Sequence, residues 1–196
     1  MGDEARDRIL DAATELYGEK GYQATRVEDI VARARVSKRT VYELFRDLGS
    51  LRFAVYERAM QVTLMELARI ANDDSEEDRL KAALTSMYRR IAQAPHLSRV
   101  VSYEFRLPEP KNIELRNQVV ALFKSILFEG TMADHRAGIC PVEPDELTII
   151  GMLAAFEGLA NHFLDGNPAD AEKATDVALR MYRSVYPFEP WKAKRG

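Results

Sequence analysis

The run from Thr25 to Phe45, T-R-V-E-D-I-V-A-R-A-R-V-S-K-R-T-V-Y-E-L-F, constrains this chain more than any other segment. It holds two short amphipathic helix patterns, a tight junction between them and a surplus of positive charge. Val27, Ile30, Val31 and Ala34 share one side of the first pattern, and Val36, Val41, Leu44 and Phe45 give the second its apolar side. Two short helices set at a steep angle can lay the second in a DNA major groove.

Charge supports that placement only when it is read locally. The whole chain carries a formal net charge of −3, which alone argues against nucleic acid. Residues 20–46 nevertheless hold seven Lys/Arg against three acids, whereas residues 53–196 hold 18 basic and 21 acidic residues. A positive patch on an acidic molecule is the electrostatic footprint of a localised DNA contact.

Upstream, Ile9, Leu10, Ala13, Leu16 and Tyr17 recur at helical spacing and predict a first helix that ends near Lys20. Gly21 then suits a left-handed cap. Thr25 with Glu28 three residues on predicts a reciprocal capping box, and Ser37 predicts the cap of a third helix. The outward positions of that helix are Lys38, Arg39, Thr40, Tyr42 and Glu43, a basic and aromatic face.

From about Arg8 to Tyr56 the chain resembles the DNA-binding domain of the tetracycline-repressor-like (TetR) family. The matching residues are I-L-D-A-A-T-E-L-Y-G-E-K-G-Y, the run that opens this section, and the D-x-x-x-L pattern of Asp47 and Leu51. The resemblance covers about a quarter of the chain. It implies a DNA-binding set of Thr25, Arg26, Arg35, Ser37, Lys38, Arg39, Thr40 and Tyr42. Thr25, Arg26, Thr40 and Tyr42 would meet phosphate, with the positive end of the second helix assisting. Lys38 and Arg39 would read base edges, since both donate well to guanine O6 and N7. Two positions depart from the family pattern. Arg35 stands where the turn usually has Gly, and Leu48 stands where a Lys often contacts phosphate, with Arg46 or Arg52 as substitutes.

Beyond the head, Asn72 to Ser75, Pro95, Pro108 with Pro110, Pro141 with Pro144, and Gly166 with Pro168 punctuate the chain. They predict helices near 48–71, 76–93, 97–107, 112–137, 145–165 and 169–186. With the first three, an all-α chain of about nine helices is expected. Its organisation reads as a helix-turn-helix domain over 1–47, a helical ligand-binding and dimerisation domain over 48–190, and a basic tail over 191–196.

On the eighth helix Gly151, Ala154, Ala155 and Gly158 line one side; on the ninth Val177, Ala178, Met181 and Val185 do so. Two such helices from each of two chains predict a four-helix homodimer interface. By the resemblance, the middle of the chain holds an effector pocket drawn from Met60, Met87, Tyr88, Ile91, Tyr103, Phe105, Phe123 and Leu127. Glu104, Arg106 and Arg116 are its candidate polar anchors. The expected function is a ligand-responsive transcriptional regulator, a repressor that binds a near-palindromic double-stranded DNA operator and is released by a small organic effector. A DNA-binding protein without an effector is the alternative.

A helical metal-dependent enzyme fits least. His96, His135 and His162 lie in separate segments without metal-ligand spacing, Cys140 is alone, and no phosphate loop, G-x-S-x-G or dinucleotide fingerprint occurs. No cofactor and no metal are therefore expected. The longest apolar stretch, Leu147 to Leu164, is broken by Glu157, Asn161 and His162, which favours a buried helix over a membrane span. With no secretory signal at the amino-terminal end, a cytoplasmic protein is expected.

Overall fold

A computed structural model describes residues 2–72, 79–164 and 170–187. Among the described residues there are nine α-helices and no strand. They are α1 (Gly2–Lys20), α2 (Val27–Ala34), α3 (Lys38–Leu44), α4 (Leu48–Ala71), α5 (Arg79–Gln93), α6 (Pro95–Arg106), α7 (Pro110–Arg136), α8 (Glu146–Leu164) and α9 (Ala171–Val185). The expected cap at Asp74 or Ser75, the break at Gly166 and Pro168, and the basic tail lie outside the described residues.

Two prolines open helices instead of preceding them. Pro95 and Pro110 are the first residues of α6 and α7, where a fixed φ and a missing N–H are both tolerated. The sequence-based starts at 97 and 112 were therefore two residues late. Asp145 accepts from the Thr148 N–H at 2.9 Å just before α8, and Asp170 does the same for Lys173 at 2.9 Å at the start of α9.

The chain forms two compact units, Met1–Thr63 with Ala94–Arg116, and Leu64–Gln93 with Asn117–Gly196. The first unit thus takes in the start of α4, all of α6 and the start of α7, and is larger than residues 1–47. Its core joins Ile9, Leu10, Ala13, Leu16 and Tyr17 of α1 to Ile30, Val41, Phe45, Leu51 and Val100. The core of the second unit gathers Leu84, Tyr88, Leu127, Ile149, Phe156 and Ala178, all 2% exposed or less.

Candidate nucleic-acid interface

The helix-turn-helix is set by three local devices. Gly21 adopts φ 80° after α1, a left-handed conformation that costs glycine little. Arg35 adopts φ 53° and ψ 49° between α2 and α3, while the Val36 N–H donates to the Val31 carbonyl at 3.3 Å. This is the position at which glycine was missed in the sequence, and the Arg keeps the left-handed turn. Ser37 then caps α3, its Oγ accepting from the Thr40 N–H at 3.0 Å.

The start of α2 corrects one expectation. Its cap residue is Arg26, whose N–H donates to Asp29 Oδ2 at 2.8 Å; Thr25 and Glu28 do not form the box. Thr25 is buried, and its hydroxyl donates to the Gly21 carbonyl at 2.8 Å. It closes the α1–α2 junction, so its side chain is removed from the set of DNA-facing groups. Glu28 points instead to Lys38.

The other seven residues of that set are accessible. Arg26, Arg35, Ser37, Lys38, Arg39 and Tyr42 are exposed and Thr40 is half-buried, while Val41 between them is 1% exposed and anchors α3 to the core. Arg46, one of two substitutes for the missing Lys at 48, is also exposed. Arg52, the other, is not: 17% of its side chain is exposed, its Nε donates to Glu104, and its guanidinium lies over the Tyr22 and Tyr103 rings.

Most of the positive charge on this surface is internally matched. Lys20 pairs with Asp29 at 2.7 Å, Arg33 with Glu15 and Glu19 at 2.9 Å, Lys38 with Glu28 at 2.8 Å and Arg39 with Glu43 at 2.7 Å. The Lys38 and Lys20 ammonium groups hold the Glu28 and Asp29 carboxyls below the usual carboxylate range. Among the described residues, Arg26, Arg35 and Arg46 have no carboxylate partner. Exposed pairs of this kind are screened by solvent and add little stability, so phosphate or a base edge can displace the carboxylate at little cost.

Residues 9–55 match the family model of the bacterial regulatory proteins, tetR family. Over these residues the chain is similar to the TetR family. It is a DNA-binding transcriptional regulator, with the helix-turn-helix just described as its head. Over 187 residues the chain is 25% identical to the HTH-type transcriptional activator FasR of Mycolicibacterium smegmatis, covering 91% of this chain and 81% of that one. It is 24% identical over 121 residues to the fatty acid metabolism regulator protein of Bacillus subtilis, covering 61% of each. Its fold matches that of the fatty acid degradation regulator FadR from Bacillus halodurans with a TM-score of 0.66, at 18% identity, over 92% of this chain and 94% of that one.

The residues proposed for an effector pocket divide between the two units of the chain. Met87, Tyr88, Ile91, Phe123 and Leu127 come together in the core of the second unit, where the Tyr88 hydroxyl donates to the Phe156 carbonyl at 3.2 Å. Met60, Tyr103 and Phe105 belong to the first; Met60 is buried there and Tyr103 is 54% exposed against Arg52. A cavity of about 570 Å³ in the second unit has a different lining, with Glu66, Lys81, Ser86, Arg89 and Arg90 on the ends of α4 and α5. Glu66 accepts from Ser86 Oγ at 2.7 Å and pairs with Arg90, so this space is polar.

The expected interface residues mostly face outward. Gly151, Ala154 and Gly158 of α8 and Met181 and Val185 of α9 are exposed, and Ala155 and Val177 are half-buried. Ala178 is a correction, since it is 0% exposed and packs inside its own unit with Ala174 and Leu179. The expectation that Leu147 to Leu164 is a buried helix is corrected as well. Ile149, Met152, Phe156 and Ala160 are buried, but only 22% of the most apolar 18-residue window is, and its mean hydropathy is 1.4. Leu147 and Ile150 are 79% and 47% exposed on the same helix. The helix thus has one buried side and one outward apolar side, and the outward side carries the small residues expected at an interface. No group of three or more potential metal ligands occurs among the described residues.

Proposed function

We propose that the protein is a homodimeric repressor that holds a near-palindromic operator with two α3 helices and releases it on binding a small organic effector. The observation that carries the DNA half is the capped, seven-residue α3, which turns Val41 into the core and presents Lys38, Arg39 and Tyr42 outward. Lys38 and Arg39 read bases, while Arg26, Arg35, Ser37, Thr40 and Tyr42 fix the backbone register.

Dimerisation rests on the outward faces of α8 and α9. Leu147, Ile150, Gly151, Ala154, Gly158, Met181 and Val185 leave an apolar, small-residue stripe in water, and a two-fold related copy buries it against itself. Two heads on a two-fold axis then meet two half-sites of the operator. Such a protein acts in the cytoplasm, where its DNA is.

The effector half rests on linkage. An effector that prefers the arrangement with wrongly spaced heads lowers DNA affinity, and operator lowers effector affinity by the same factor. Two relatives carry names that refer to fatty acid metabolism. Acyl compounds are accordingly the first effector class to screen, as partners for the aliphatic and aromatic residues Met87, Ile91, Phe123 and Leu127.

The test is binding of the purified protein to the DNA upstream of its own gene, by fluorescence anisotropy at several salt concentrations. Saturable binding by a dimer, with competition by that fragment and not by random DNA, is the expected result. Absence of binding at low salt overturns the DNA reading. Binding that no ligand in a broad thermal-shift screen alters retires the effector half and leaves a regulator controlled by its own abundance.

A further inference from the structure

Arg52 sits on the second turn of α4 and sends its charge inward. Its guanidinium carbon lies 4.6 Å from the Tyr22 ring centroid and 4.8 Å from that of Tyr103. Its Nε donates to Glu104 Oε1, and Glu104 is 2% exposed. The second carboxylate oxygen accepts from Asn112 Nδ2 at 2.7 Å, and the same amide nitrogen donates to the Glu104 carbonyl at 2.8 Å. One buried carboxylate therefore joins four places in the first unit: the α1–α2 junction through Tyr22, then α4, α6 and the first turn of α7.

This pair differs in kind from the ion pairs of the DNA-facing surface. Lys20–Asp29, Arg33–Glu19, Lys38–Glu28 and Arg39–Glu43 each leave at least 34% of either side chain exposed. Around Glu104 the surroundings are dry. Tyr17 and Tyr56 are both 0% exposed; burial above all raises both hydroxyls, with a smaller upward push from the Glu104 charge, and Tyr56 is pushed up to about 12. Burial would lower the Arg52 pKa, yet Glu104 and the neighbouring tyrosines more than offset it and the shift is upward. A buried ion pair adds little net stability, but it penalises arrangements that separate its partners.

We propose that Arg52, Glu104 and Asn112 form a clasp that fixes the pose of the helix-turn-helix on α6 and α7, so that Arg52 governs DNA affinity as a positioning residue and not as a phosphate ligand. The proposal rests on the reading that the head binds operator DNA. Motion of α6 or of the start of α7 displaces the carboxylate, and Arg52 passes the displacement to Tyr22 beside the α2 cap. The device is absent from the DNA-facing surface itself, where every pair can open without moving a helix.

Charge and salt separate this role from a direct contact. Wild type, Arg52→Gln, Glu104→Gln and the double variant are titrated against the upstream fragment over a range of salt. Each single change is expected to weaken binding by about tenfold or more, with the double no worse than the weaker single. The slope of log affinity against log salt should stay at the wild-type value in all of them. A phosphate contact by Arg52 would instead lower that slope by about 0.9 in Arg52→Gln, and a merely electrostatic Glu104 would bind tighter once its negative charge is gone. Either result overturns the clasp.

Glu104→Asp keeps the charge, shortens the reach and guards against loss of fold; it should weaken binding while melting as a single cooperative unit, and wild-type affinity in this variant counts against the proposal. Amide hydrogen exchange over residues 21–26 gives a readout that needs no DNA and should quicken in Glu104→Gln. Unchanged exchange there overturns the clasp. Faster exchange with no DNA binding by the wild type overturns only the regulator reading.

Discussion

Lys38 donates to Glu28 across the helix-turn-helix at 2.8 Å, so the first residue of the reading helix is held by an acid of the helix before it. Both side chains are more than half exposed. Each can therefore swap its partner for water or DNA. Glu28→Gln removes the competitor and is expected to tighten binding to the upstream fragment by about two- to fivefold. Lys38→Met is expected to weaken it by about tenfold or more. Anisotropy titrations check both; equal affinity in the two variants would remove Lys38 from the DNA-reading set.

Arg35 holds a left-handed conformation that costs a side-chain-bearing residue about 1 kcal/mol or more. Glycine relieves that cost and gives back part of it as unfolded-state entropy. Arg35→Gly is expected to stabilise the protein by about 0.5–1 kcal/mol in urea unfolding, whereas Arg35→Ala should not. Both should lower the salt slope of DNA binding by about 0.9. A stability gain with an unchanged slope would make Arg35 a turn residue only.

Ser37 satisfies the Thr40 N–H at the start of a helix only seven residues long. Ser37→Ala is expected to cost about 1 kcal/mol of stability. Because the cap also fixes the direction of Lys38 and Arg39, DNA affinity should fall by more than stability does. Loss of stability alone would confine Ser37 to a structural role.

Asp29 accepts from Lys20 and from the Arg26 N–H, and both hold its carboxyl below the ordinary value of about 4. The folded pKa lies under the unfolded one, so the stabilisation is complete above about pH 5, roughly a unit over the unfolded value. It disappears as the pH falls through the folded value. Thermal melts of wild type and Asp29→Asn between pH 7 and pH 3 should differ by a constant amount down to about pH 5 and converge below. Parallel curves over the whole range would contradict the linkage.

Ala154 is exposed in the middle of the small-residue stripe on α8, and a Cβ built on Gly151 or Gly158 meets nothing within 4 Å. Ala154→Glu should therefore leave helix content unchanged while converting a dimer to a monomer in sedimentation velocity. The monomer should lose operator affinity steeply, since it holds one half-site at a time. A dimer that persists in this variant would place the interface elsewhere.

The helices and their order were legible in the sequence because their signals are local. The Gly21 cap, the Ser37 cap and the period of Ile9, Leu10, Ala13, Leu16 and Tyr17 each lie within one or two turns. What escaped depends on distant neighbours. The cap of α2 moved from Thr25 to Arg26 because the Thr25 hydroxyl turns back to Gly21. Arg52 looked like a phosphate ligand until Glu104, 52 residues further on, drew it inward. Ala178 and Val177 are adjacent small residues on α9, and only the packing of that helix decides which one is buried. An effector pocket is a property of empty space, and no residue pattern encodes its outline.

Because acids shadow Lys20, Arg33, Lys38 and Arg39, the free molecule shows random DNA fewer unattended positive charges than its sequence holds. Its sequence-blind adhesion to the chromosome should be feeble, so it can leave wrong sites quickly and stay only where base edges offer better partners than its own carboxylates. Restraint of this sort favours fast search over tenacious loitering, even in a cell crowded with competing sequence.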